Sequence, residues 1–100
     1  MLYYTQIVFV KEGLEDVFHS FEEQVLPFLQ RYNGELICRV RPPKSSVITT
    51  ALGYPYEIHV VTFSTRTDFE AYRDDPQRRQ LMVLKEQSVD HILLIEGVAL

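Results

Sequence analysis

The chain has little of several things that would announce a function. It holds one cysteine, Cys38, so no internal disulfide forms and no paired-thiol metal site exists. No apolar stretch approaches the roughly 20 residues that cross a bilayer, and the start "MLYYTQ" lacks the charged and apolar regions of a secretory signal. The expectation is a cytoplasmic protein that neither spans nor enters a membrane. Ten basic residues against fourteen acidic ones leave a formal charge of −4, with the basic ones scattered rather than gathered in a stripe. That distribution argues against nucleic acid as a partner. The turn "VKEGLEDV" has neither a cysteine pair nor a phosphate-cradling glycine loop.

What is present is a regular alternation of periods. A 100-residue chain that is 46% hydrophobic and 24% charged has the composition of one globular domain, residues 1–100. "YYTQIVFV" is β-branched and aromatic, with large apolar groups in both alternating sets, and predicts a strand buried on both sides. From Leu14 to Tyr32 the apolar residues follow the rhythm of one helical face, Leu14, Val17, Phe18, Phe21, Val25, Phe28 and Leu29. Pro27 predicts a kink in that helix, and Asn33 with Gly34 its end. "GELICRV" is the second strand, and "PPKSSVITTALGYP" a long connection with room for a short hairpin. "YEIHVVTFS" is the third strand. "TDFE" has capping-box spacing, Asp75 and Pro76 restart a helix that runs to about Ser88 with Leu81 and Leu84 turned inward, and "HILLIEGV" is the fourth strand.

Strand, helix, strand, strand, helix, strand is the split βαβ order of an α+β, ferredoxin-like sandwich. Right-handed crossovers give an antiparallel four-stranded sheet of spatial order 4-1-3-2 with both helices on one face. Strands that are apolar on both sides also need cover on the other face, and a second copy of the chain, sheet against sheet, supplies it in a homodimer.

The segments "QRYNGELICRV", "EIHVVTFSTRTDFEAYRDDPQRRQL" and the closing "LIEGV" resemble the domain-of-unknown-function family 1330 of the dimeric α/β-barrel superfamily. Asn33-Gly34, Arg39, Phe63 and Asp75-Pro76 stand where that family has its glycine pair, its arginine, its phenylalanine and its proline break. The resemblance implies a dimeric α/β barrel without an agreed activity. The wider superfamily contains cofactor-free monooxygenases, lactone isomerases, haem-handling enzymes and stress-response proteins.

Pairing polar with polar positions puts Arg39, Arg41, Glu57 and His59 on one face of the second and third strands. Leu36, Cys38 and Val40 then go with Ile58 and Val60 under the helices, with Cys38 buried and inert, and the polar set faces the partner subunit. An arginine beside a histidine can clamp a carboxylate, phosphate or enolate. A salt bridge of Arg39 or Arg41 with Glu57 uses the same residues structurally. Tyr4, with the tyrosines at 3, 54 and 56, is placed at the rim of a pocket. The expected ligand set is therefore Arg39, Arg41, His59, Glu57 and Tyr4 around a small anionic or phenolic molecule, with no cofactor. His19, His59 and His91 have no metal-ligand spacing, and His59 and His91 belong to opposite ends of the sheet, so no metal is expected. Two classes of function remain open. One is a non-catalytic binding protein; the other is a monooxygenase- or isomerase-like enzyme with Arg39 stabilising an anion and His59 as general base.

Overall fold

A computed structural model describes residues 1–100. The elements are β1 (Leu2–Val10), α1 (Glu15–Val25), a 3-10 helix (Leu26–Tyr32), β2 (Gly34–Val40), a 3-10 turn (Lys44–Ser46), β3 (Glu57–Phe63), α2 (Arg66–Arg73), α3 (Pro76–Ser88) and β4 (Val89–Val98). The strands form one antiparallel sheet in the order β2-β3-β1-β4, the arrangement expected from the sequence. The sheet stays open, and the helices lie on one face of it. The fold is ferredoxin-like.

Local chemistry accounts for most boundaries. Glu15 and Asp16 occupy the first turn of α1, where the helix dipole favours negative charge. Pro27 has no N–H to give the carbonyl of Glu23, and the expected kinked helix becomes α1 followed by tighter 3-10 turns. Asn33, at φ 57°, ends them in the left-handed conformation. A side chain at Gly34 would meet Phe63 Cε1 at 2.7 Å, so close packing of β2 on β3 requires a glycine there. The cap of α2 is Thr65 rather than Thr67: its hydroxyl accepts from the Asp68 amide at 3.1 Å. Asp75 caps α3 by accepting from the Arg78 amide at 2.9 Å, with Pro76 behind it. The long connection contains the Lys44–Ser46 turn and no hairpin.

The core joins Tyr4 of β1, Leu29, Val61 and Phe63 of β3 and Tyr72 of α2. Phe18, Phe21 and Val25 of α1 are buried beside it. This packing decides which face of the sheet is which, and here the structure corrects the sequence reading. Val61 and Phe63 point at the helices, so period two along β3 carries Glu57 and His59 to the same side. Arg39 and Arg41 go with them. A β-bulge between Leu36 and Cys38 pairs Leu36 with Val61, Cys38 with Val60 and Arg39 with His59. Ile37 is the extra residue, and it lets Leu36 and Arg39 share the helix side. The grouping of Arg39, Arg41, Glu57 and His59 is as expected, and the face is the opposite one. Cys38, expected to be buried, is exposed on the open face with Val40, Ile58 and Val60.

Candidate functional site

A chamber of about 310 Å³ lies between the sheet and the helices α1 and α3. Its walls are mostly apolar, among them Val8, Phe21, Val61, Phe63, Met82 and Ile92. Polar groups enter it from three elements.

From α1 comes Glu22. It is four residues after Phe18 and three before Val25, so it falls within the buried stripe of the helix and is only 3% exposed. Its position in the stripe was legible in the sequence, yet it was not singled out there. From β3 comes His59, 3% exposed, and next to it, off the chamber wall, stands Glu57, fully buried. Arg41 Nε donates to Glu57 Oε1 at 2.9 Å, and Arg39 Nε lies 3.0 Å from the same oxygen. The second oxygen, Oε2, has no donor and lies 3.9 Å from His59 Nδ1. Glu22 Oε2 approaches that nitrogen to 3.8 Å. Both ring nitrogens of His59 and Glu22 Oε2 lack a hydrogen-bond partner. Burial, reinforced by the negative charge of Glu57, pushes the Glu22 carboxyl up to about 7. Burial holds the His59 imidazole below its ordinary value, so it is neutral at physiological pH.

From α3 come Arg78, Met82 and Lys85, spaced as one helical face. The Arg78 guanidinium lies over the Tyr72 ring at 4.7 Å and gives Nη1 to the carbonyl of Arg73, leaving a buried Nε without a partner. Burial and the nearby Arg78 charge hold the Lys85 ammonium below its usual range. These two cations, not noticed in the sequence, face the chamber.

The expected site residues are therefore divided. Glu57, His59, Arg39 and Arg41 come together, but both arginines are engaged by Glu57 toward the solvent-facing edge, which is the structural use of them weighed from the sequence. Arg39 does not line the chamber. Tyr4 does, as an apolar wall stacked on Phe69 at 4.1 Å. Its hydroxyl donates to Glu96 Oε1 at 2.7 Å, and its pKa is raised to about 12 by burial and by that carboxylate. The imagined cluster of tyrosines does not form: β1 and β3 are antiparallel, so Tyr4 sits opposite Val61 while the Tyr56 amide bonds to Val8.

The histidines are separate, by faces rather than by ends of the sheet. His19 bonds to the Tyr56 hydroxyl at 2.5 Å, and His91 stacks on Phe9 on the open side. No spacing in the sequence gathers carboxylates around a histidine. The fold supplies them: donor atoms of Glu22, Glu57 and His59 all lie within 4.8 Å of one another.

No protein-family profile matches the chain, and no curated protein does. Solved structures do. A protein of unknown function from Rhodopseudomonas palustris superposes with a TM-score of 0.84 at 12% identity, over 99% of this chain and 82% of that one. A DABB-family protein with a ferredoxin-like fold from Mesorhizobium loti gives 0.68 at 16% identity, over 99% and 96%. A dimeric ferredoxin-like protein of unknown function from Jannaschia gives 0.69 at 19% identity, over 98% of each chain. At these identities the likeness is one of fold, and two of the three proteins are described as of unknown function.

Proposed function

We propose that the protein is a cytoplasmic homodimer that binds a small organic ligand, an apolar body bearing an anionic or phenolic oxygen, in the chamber of each subunit. The observation that carries this reading is a largely apolar cavity at the small end of the range for ligand sites, into which a few buried polar atoms converge without partners. Arg78 and Lys85 supply positive charge to a carboxylate or phenolate, replacing Arg39 in that role. The neutral His59 faces the same space with both nitrogens free, which is what a general base acting on a phenol or an enolisable carbon requires. That favours the monooxygenase- or isomerase-like enzyme as the second reading.

The homodimer rests on the open face of the sheet, where Val40, Leu93 and Ile95 are each more than 40% exposed, and on the Jannaschia fold relative being described as dimeric. The resemblance to family 1330 agrees with it, and the single unpaired thiol agrees with the cytoplasm.

The test is a thermal-shift screen of small aromatic and aliphatic carboxylates and phenols on the wild type and on Arg78→Met. Stabilisation by an anionic ligand that the variant loses supports the reading. No stabilisation by any member overturns it. Light scattering on the same sample is expected to report twice 11.7 kDa.

A further inference from the structure

We propose that Glu22, Glu57 and His59 form a binding site for a divalent transition-metal ion, open toward the chamber. The site goes beyond the ligand reading and stands independently of it.

Three side chains from two elements, α1 and β3, meet at one point, and each is at least 97% withdrawn from solvent. Four of their polar atoms, Glu22 Oε2, Glu57 Oε2 and both nitrogens of His59, have no hydrogen-bond partner. Arg39 and Arg41 compensate only Glu57 Oε1, and leaving the four remaining polar atoms unpartnered in a low-dielectric interior is costly. A cation satisfies the carboxylates and the imidazole together. His59 Nδ1 stands 3.8 Å from Glu22 Oε2 and 3.9 Å from Glu57 Oε2. Tetrahedral ligation with bonds of about 2.0–2.1 Å needs donor separations of about 3.4 Å; the three donors lie within 4.8 Å of one another, so closing on an ion brings each carboxylate about 0.5 Å nearer the imidazole and draws the two carboxylates together by up to about 1.4 Å.

The surroundings suit such an ion. Arg39 and Arg41 hold Glu57 by Oε1, which fixes the carboxylate and leaves Oε2 turned toward His59. Outer partners of this kind orient metal ligands. One imidazole nitrogen with two carboxylate oxygens is a donor set for zinc, manganese, iron(II) or cobalt(II). Calcium takes six to eight oxygens and magnesium keeps its waters. Glu22 and His59 both line the chamber, so the remaining coordination positions face it and remain accessible to water or to a ligand oxygen.

The experiment uses the full chain, stripped with a chelator and titrated with Co²⁺, then with Zn²⁺. The expected result is one Co²⁺ per chain, seen as visible d–d absorption bands, displaced by Zn²⁺ and accompanied by a rise in melting temperature. Glu22→Gln and His59→Gln are expected to weaken binding about 100-fold or more, beyond what loss of an outer partner causes. Circular dichroism establishes that each variant folds. If His59→Gln does not, Glu22→Gln decides, since it removes a buried charge at nearly constant volume. Absence of bands and of thermal shift in the wild type overturns the proposal. So does Co²⁺ binding that survives undiminished in a folded variant, which would place the ion elsewhere, for example at Asp90 and His91.

Discussion

Glu22→Gln should make the protein more stable at neutral and alkaline pH and leave it unchanged in acid. In the folded chain the Glu22 carboxyl is raised from 4.5 to about 7. Burial is the main cause and Glu57 the next, while Arg39 on β2, Arg41 just after it and Lys85 on α3 oppose them and His59 stands neutral beside it. A folded-state value above the unfolded one means that the native protein holds the proton more tightly. Glu22 therefore imposes no penalty below the unfolded value of about 4.5, an increasing one between there and about 7, and a constant one above. At about 1.4 kcal/mol per unit, the full penalty is about 3 kcal/mol. Glutamine fills nearly the same volume and never ionises, so the variant should gain about that much well above pH 7. The assay is urea unfolding of both proteins at equal concentration across this pH range, with a chelator present so that no cation compensates the carboxylate. The stability difference should open as pH rises through the window and then level off. A difference that is the same in acid and base, or a variant less stable than wild type above neutrality, would refute the burial argument.

The paired arginines and the helix cap give two further tests. Arg39→Met alone should cost about 1 kcal/mol or less, because its side chain is 32% exposed and Arg41 still holds Glu57 Oε1. Adding Arg41→Met leaves a fully buried carboxylate without a counter-charge and should cost about 3–5 kcal/mol; simple additivity of the two single changes in denaturant melts would contradict the shared ion pair. Asp75→Ala removes the acceptor for the Arg78 amide and for the Tyr32 hydroxyl, and a loss of about 1–2 kcal/mol is expected; an unmoved unfolding midpoint would mean that Pro76 and packing hold the bend without the cap.

What the sequence determined by itself is what short-range chemistry controls. Periods of 2.0 and 3.6 placed the strands and helices, Asp75-Pro76 and Asn33 marked their ends, and chain order with right-handed crossovers fixed the strand order. The apolar open face, which asks for a partner, was visible as strands without a polar side. That same property hid the orientation. "EIHVVTF" carries large apolar residues in both alternating sets, so period two separates the sets without saying which one meets the helices. Only the packing of Val61 and Phe63 against Leu29, Tyr72 and the side-chain-free Gly34 settled it, and in doing so drew Glu57 and His59 inside. The bulge at Ile37 was likewise decided in three dimensions: Leu36 had to join the core while Arg39 reached Glu57, and a strand of unbroken alternation cannot do both from positions three apart. Glu22 belongs to the helical stripe by arithmetic. Its meeting with Glu57 and His59 depends on α1 lying across β3, a contact between residues far apart in the chain that no local pattern encodes.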